Sequence, residues 1–517
     1  MMRMEKNTPE EFAKHIIAFY NEYDLRISGK INNQTAYQLI EEIEKKFQPD
    51  TIALPDGTKI WNLLRVFLYS NFQKLGGEVG QKKLNKNSFK SFFSLFKESL
   101  MPLHLPKNIT FCGFSSVESR KLYNDTYYDI YLDPLYDILG DRLAVFEWPE
   151  STGYRRKYDH PVYSRKYIQM HIPLYTKTFW RLLFYQLTNH RNYTLQSEEV
   201  LKDIIRFICS AASVDENKLT KDIYDFITVF AFIKEYLYDI LNKIKPKAVL
   251  IRCGYGRFPM ALSQACRELG IRSIELQHGM IDDYLPAYRK TMPSNNKDCV
   301  PEYLLTHGDI FTDLVRDGNL FDPQKVVSAG FPYMERHLKE RKKIDSHQKK
   351  MLTPFPHNIL ITSQWIIASE IENFVIKVAE EFEKAHMDIG ILFKPHPYDK
   401  KDYSQLQKVR RIILIDKYED IFKLFTTVDI HSTVFSTSGL EAMAFGVPNI
   451  FIDAYNISHF TIAPYIITSP AQFIESVGSI LSHYNDSVDE TKALAHLFFA
   501  PSPEKNFRNF FTELGLL

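Results

Sequence analysis

From Asn108 onward the chain alternates short apolar, β-rich runs with amphipathic helical stretches, and this alternation restricts the fold more than any other feature. Strands are expected at 109–114, 143–148, 248–252, 273–277, 303–306 and 325–329, with helices at 176–188, 197–212, 219–244, 258–269 and 310–317. Such a rhythm belongs to a parallel α/β sheet, whose strands need crossover helices and are covered on both faces. A charged stretch at 337–350 breaks the pattern, which resumes with strands at 358–362, 389–393, 412–415, 428–431 and 449–452. Two consecutive doubly wound, parallel-sheet α/β series joined by a linker predict two domains facing a cleft. Ligands of such sheets lie beyond the carboxyl ends of the strands, so the informative residues are the strand ends.

The first hundred residues read differently, as helices over 10–23, 35–47 and 61–75. The apolar run from Ile60 to Phe72 is short and interrupted by Asn62, Arg65 and Asn71, which argues against a membrane span. A basic stretch follows, with Lys82, Lys83, Lys86, Lys90 and Lys97, and Phe89, Phe92, Phe93, Phe96 and Leu100 share one helical face there. Either this is an interfacial helix on an anionic membrane, or it packs on the body with its lysines in water. The resulting division is a helical region at 1–105, an α/β domain at 106–336, a linker at 337–356, a second α/β domain at 357–488 and closing helices at 489–517.

Charge and cysteine content narrow the function classes. With 64 Lys+Arg against 63 Asp+Glu the chain has a net charge of +1, which does not suit a protein that coats nucleic acid. The five cysteines are odd in number and form no CxxC pair, so a disulfide framework and a zinc ribbon are not expected and a reducing cytosol is. The first residues lack the apolar core of a secretory signal, and the expected location is cytoplasmic or peripheral to the inner face of the membrane.

Three groups of residues at strand ends carry chemistry. One strand ends Thr362-Ser363, and the next ends Lys394-Pro395-His396-Pro397, where two prolines fix the backbone around an imidazole suited to a phosphate oxygen. The alternative is a rigid turn with an incidental histidine. The segment 429–443 ends a strand near His431 and opens a helix around Ser438, with Ser432, Thr433, Ser436, Thr437, Ser438 and Gly439 between and beside them. Hydroxyls beside helix N–H groups suit an anion, and Glu441 in the first turn suits a ribose hydroxyl; an ordinary N-cap is the other reading, although a cap needs one hydroxyl only. Third, Gln277-His278-Gly279 places an imidazole at a strand end with Asp282 and Asp283 close behind, so His278 or one of these carboxylates is a base candidate. Glu118 is a further base candidate and Glu147 and Glu150 are another; for each of these a solvated carboxylate is the favoured reading.

Absences matter as well. Cys253-Gly-Tyr-Gly-Arg257 opens a helix after a strand, but it is not GxGxxG. There is no Walker A sequence, HExxH, G-x-S-x-G or strand-end DxD pair. Charge neutralisation by Lys394, His396 and a helix dipole is therefore expected in place of a metal ion.

Lys394-Pro-His396-Pro397, followed by 432–438 and Glu441-Ala-Met-Ala-Phe-Gly446-Val-Pro448, resembles the HP and S/T motifs of GT-B glycosyltransferases that build bacterial capsule and related surface polymers. Polysialyltransferases, Kdo transferases and CDP-glycerol glycerophosphotransferases are of this kind. Glu275-Leu-Gln-His278-Gly279, Thr306-His-Gly308 and Gly330-Phe-Pro332 resemble their N-terminal half, and the likeness covers 247–480. It implies that His396 and 436–438 hold the donor phosphates, that Glu441 holds the ribose, and that the last helix returns to the first domain. Pro503 and the face formed by Phe507, Phe510, Phe511 and Leu514 fit such a helix. The acidic base motif of the sialyl enzymes has no counterpart here. The implied activity is metal-independent, cofactor-free transfer of a sugar or polyol phosphate from a nucleotide-activated donor (CMP-, CDP- or UDP-linked) to a glycan or glycolipid hydroxyl. A nucleotide-sugar epimerase or hydrolase, and a non-catalytic glycan-binding or scaffold protein, are the alternatives.

Overall fold

The computed structural model describes residues 33–75, 99–123, 125–148, 158–188, 193–212, 214–341, 353–364, 367–397, 399–434, 436–453 and 466–517, with isolated positions at 8, 10, 11, 14 and 190. Most of the helix expected at 10–23, the basic stretch 82–97, Glu150 and residues 342–352 of the linker lie outside the described residues. The chain divides into two units: 28–306 with 311–332 and 504–517, and 333–503 with 307–310 and the first 27 residues.

Among the described residues the first unit is built on a seven-stranded sheet. Its strands are β1 (Phe111–Ser116), β4 (Leu143–Trp148), β5 (Tyr167–Gln169), β6 (Ala248–Ile251), β7 (Arg272–Leu276), β8 (Tyr303–Thr306) and β9 (Val326–Ser328). The hairpin of β2 (Arg120–Tyr123) and β3 (Thr126–Asp129) stands apart from it. The order β5-β4-β1-β6-β7-β8-β9 is parallel at every pairing, as the βα rhythm predicts. One face packs against the helices Asn33–Phe47, Trp61–Leu75, Glu198–Ala212, Glu216–Ile244 and Arg257–Glu268. The 29-residue helix Glu216–Ile244 is capped by Asp215, which accepts from Lys218 N–H at 2.6 Å, and ends at Lys245 in the left-handed region (φ 54°).

Two of the polar residues that interrupt the 60–72 run, Asn62 and Arg65, are anchors. Arg65 is fully buried; it meets Glu44 at 2.8 Å and donates to the Arg289 carbonyl at 2.7 Å. Asn62 donates to the carbonyls of Asn296 and Asp298, both at 3.0 Å. Each bond satisfies a group that would otherwise be costly to bury, so the N-terminal helices are fixed in register on the loop at 284–300. On the other face lies the C-terminal helix Pro503–Glu513, whose Phe511 ring sits 5.1 Å from Phe111 and whose Phe510 ring sits 5.5 Å from Tyr303. The chain thus leaves the second unit at Pro503 and ends on the first.

Among the described residues the second unit carries a six-stranded parallel sheet made of β10 (His357–Thr362), β11 (Ile389–Lys394), β12 (Ile412–Leu414), β13 (Ile430–Thr433), β14 (Asn449–Ile452) and β15 (Ile466–Ile467). Their order is β12-β11-β10-β13-β14-β15. Gly308 belongs to this unit and lies against the backbone at Leu497 and Phe498, so close that a Cβ would collide with main-chain atoms. Main chain within a helix end cannot yield as a side chain can. Gly308→Ala is expected to lower stability by about 1–3 kcal/mol, read as a lower melting midpoint of this unit; an unchanged midpoint contradicts the packing. No described helix is long and apolar enough to cross a membrane.

Candidate functional site

Each sheet has one place where the strand order reverses. In the second unit β10 leads outward to β11 and β12, while β13 leads the opposite way to β14 and β15. Loops leaving the carboxyl ends of β10 and β13 therefore diverge and open a crevice. Register brings Thr362 level with Lys394, and Ile361 level with Ser432, so Thr362, Lys394 and Thr433 form one edge. The loops beyond them hold Ser363, His396, Ser436 and Thr437.

Behind this edge runs a buried polar chain. Asn449 Oδ1 lies 2.6 Å from His431 Nδ1, His431 Nε2 lies 3.1 Å from Thr362 Oγ1, and Thr362 Oγ1 lies 3.1 Å from Ser438 Oγ. All four residues are buried. Burial pushes the His431 imidazole down to about 3, against the opposing bond from Asn449, so the ring is neutral at physiological pH. Asn449 Nδ2 has no partner among the described residues, a cost of about 1–3 kcal/mol. Gly439 has no side chain because a Cβ would sit 2.8 Å from the Phe451 ring and 3.0 Å from Asn449 Nδ2.

The strand β13 runs two residues past His431, where the sequence ends it. Ser432 and Thr433 are therefore strand residues, and their hydroxyls donate to the carbonyls of Ile450 at 2.8 Å and Thr362 at 3.3 Å. Ser436 and Thr437 are half-buried at the edge, and Ser436 Oγ accepts from Ser438 N–H at 3.2 Å. Glu441 is half-buried in the first turn of the helix Ser438–Ala444.

Lys394 is buried and donates to the Lys417 carbonyl at 2.7 Å, and Lys417 Nζ in turn reaches the Asp399 carbonyl at 2.9 Å. The His396 carbonyl accepts from Asp399 N–H at 2.9 Å, closing a turn. Tyr403 donates to Asp399, and its hydroxyl lies 3.3 Å from Ser363 Oγ. Burial and the Asp399 carboxylate push the Tyr403 phenol up, so it stays protonated. His396 thus sits half-buried on a turn braced from behind.

In the first unit the order reverses between β1 and β6. Ser116 ends β1, and Arg252 follows β6. Arg252 Nη1 bonds to Ser116 Oγ and lies 3.2 Å from Glu118 Oε2, which also accepts from Ser116 Oγ at 2.7 Å. Glu118 is exposed, as a solvated carboxylate at this edge. His278, at the end of the adjacent β7, has Nε2 3.4 Å from the Tyr255 hydroxyl, and its carbonyl accepts from Tyr131 at 2.8 Å. Asp282 accepts from Tyr284 N–H at 2.8 Å, and Asp283 lies 3.5 Å from Arg289. Arg252, Glu118 and Ser116 thus form one group, His278 and Tyr255 another.

Sequence reasoning missed Arg252, Tyr131, Tyr255 and the role of Glu275. The signal for the last was present: a carboxylate in the middle of a strand covered on both faces needs a partner. Glu275 Oε1 accepts from Gly254 N–H and from the Tyr288 hydroxyl, both at 2.7 Å. A Cβ at Gly254 would strike the same carboxylate, which explains a glycine in the 253–257 loop. Burial pushes Glu275 from 4.5 up to about 7, with the two bonds opposing. Because the folded chain keeps this proton after the unfolded chain has released it, stability should fall as pH rises from about 4.5 to about 7. The single-site contribution is about 3 kcal/mol. Glu275→Gln keeps the acceptor and removes the titration, so its melting temperature should fall less over that window; parallel profiles contradict the assignment.

Glu147 departs from the solvated reading. It is buried, meets Arg120 at 2.7 Å and accepts from Tyr158 and Tyr167 at 2.7 and 2.6 Å.

No protein-family model matches the chain, and no curated protein does. Among solved structures it is similar to the UDP-GlcNAc 2-epimerase from Neisseria meningitidis bound to UDP-GlcNAc, at 14% identity over 78% of this chain and 99% of that one, with a TM-score of 0.44. It is similar to the wall teichoic acid polymerase TagF at 10% identity, over 87% of this chain and 96% of that one, with a TM-score of 0.45. The UDP-GlcNAc 2-epimerase from Methanocaldococcus jannaschii is similar at 13% identity, over 78% and 99%, with a TM-score of 0.45.

Proposed function

We propose that the chain is a glycosyltransferase of surface-polysaccharide biosynthesis that moves a sugar from a nucleotide-activated donor to a glycan or lipid-linked hydroxyl. The observation that carries this reading is the reversal point of the second sheet, where His396, Ser436 and Thr437 flank one edge backed by Lys394. In the proposed step His396 and the hydroxyl turn stabilise charge on the leaving phosphate as the glycosidic bond breaks, with no metal ion required. Lys394, held by the Lys417 carbonyl, adds fixed positive charge behind them. Glu441 takes the ribose. The first unit's edge takes the acceptor, whose proton passes to His278 or to a carboxylate among Glu118, Asp282 and Asp283. Such an enzyme works in the cytoplasm, where activated sugars are held, and the 82–97 stretch is the part that would meet an anionic membrane.

A thermal-shift series with CMP, CDP, UDP, GDP and their sugars tests the reading. One nucleotide is expected to stabilise the chain, by about 2.7 kcal/mol at a hundredfold excess over its Kd. Its sugar should then turn over only when a glycan acceptor is present. Turnover of the donor alone would favour the epimerase or hydrolase, and no shift with any nucleotide would favour the non-catalytic protein.

A further inference from the structure

The second sheet contains a buried titratable side chain that the proposed reaction leaves unused. His431 lies on β13 with both ring nitrogens engaged, and its ring meets Phe425 edge to face at 5.3 Å. A leucine would suit such surroundings by size, so packing alone gives no reason for an imidazole. Its polarity runs in one direction. Asn449 Oδ1 is an acceptor, which puts the ring proton on Nδ1 and leaves Nε2 to accept from the Thr362 hydroxyl. With its own proton committed, Thr362 Oγ1 accepts from Ser438 Oγ. Ser438 opens the helix Ser438–Ala444, and its N–H is tied to Ser436 Oγ at 3.2 Å. One neutral ring thus sets the orientation of two hydroxyls in series, those of Thr362 and Ser438, from the strand to the turn.

We propose that His431 is a positioning residue for this edge: acting through Thr362 and Ser438, it holds the Ser436–Ser438 turn in the geometry that receives the donor phosphates. The inference rests on the reading of that edge as the nucleotide site. A hydroxyl chain of fixed direction removes the alternative rotamers of the turn, so the turn meets an anion already ordered.

The full chain and its His431→Leu, His431→Gln, Thr362→Val and Thr362→Ser variants are titrated calorimetrically with CMP, CDP, UDP and GDP, and the matching donor sugars are assayed. His431→Leu and Thr362→Val should each weaken nucleotide binding about tenfold and raise the donor KM by the same factor, and kcat should fall as well because the same turn stabilises charge on the leaving phosphate. The double variant His431→Leu/Thr362→Val should bind no worse than either single one, because both break one chain. His431→Gln and Thr362→Ser, which keep a donor and an acceptor, should recover most of the affinity. If His431→Leu does not fold, the two Thr362 variants carry the test. Unchanged affinity in Thr362→Val beside normal binding by the natural chain overturns the inference and leaves the functional reading intact. Loss of kcat at constant KM also overturns it. If the natural chain binds none of the four nucleotides, the functional reading fails and the inference falls with it.

Discussion

Arg120→Met should destabilise the first unit by about 3–5 kcal/mol, the largest effect expected from any single substitution here. Arg120 is fully buried and is the cation for three buried carboxylates, Asp129, Asp133 and Glu147. It meets Glu147 at 2.7 Å and Asp133 at 3.5 Å, and its guanidinium lies 4.5 Å from the centre of the Tyr167 ring. The acids are otherwise well bonded: Asp129 takes Ser115 and the N–H groups of Tyr131 and Leu132, and Asp133 takes Ser164 and Asp129 N–H. Even so, burial and then the charge of Asp129 raise the Asp133 carboxyl above its usual range. Methionine fills the space but leaves like charges facing one another without water. Acid should partly rescue the variant, since protonation removes the repulsion, and its melting temperature should drop between pH 5 and pH 8 more steeply than that of the natural chain. A midpoint within about 2 °C of the natural one at pH 7, on the scale where 1 kcal/mol moves it by 2–4 °C, contradicts this account.

His396→Ala is expected to lower transfer by about a hundredfold or more while the unit stays folded. The imidazole is half-buried on a turn held by Asp399 N–H, and that turn is braced through Tyr403 and Lys417. Removing the ring leaves the backbone bonds in place, so the melting temperature without nucleotide should change little. On the proposed reading what is lost is a donor to the leaving phosphate, and losing one such donor typically costs 10²–10³ in rate. The check is kcat/KM beside the melting curve. Undiminished transfer would remove His396 from the site.

The alternation of apolar runs and helices made both parallel sheets legible. The strands at 143–148, 303–306 and 449–452 match their sequence bounds, because a strand covered on both faces is a plain apolar run between turn residues. The hairpin of β2 and β3 and the short edge strands β5 and β15 were not legible, since runs of two to four residues show no period. At the candidate site the strand ends were readable, but the fate of each hydroxyl was not. Ser432 and Thr433 read as loop residues, yet their bonds go to carbonyls of neighbouring strands, partners set by register rather than by local sequence. The same reason hid Glu147 and Arg65. Each is charged next to an apolar run, and each is satisfied by a group far along the chain.

On the proposed reading the carboxyl edge of the second sheet holds a nucleotide. Hydrogen–deuterium exchange, with and without whichever of CMP, CDP, UDP or GDP raises the melting temperature most, tests it directly. Slower exchange is predicted at 395–399 and 436–441, with residues 252–257 of the first unit unchanged. Bound nucleotide with unchanged exchange at 395–399 and 436–441, and protection elsewhere in the chain, would contradict it.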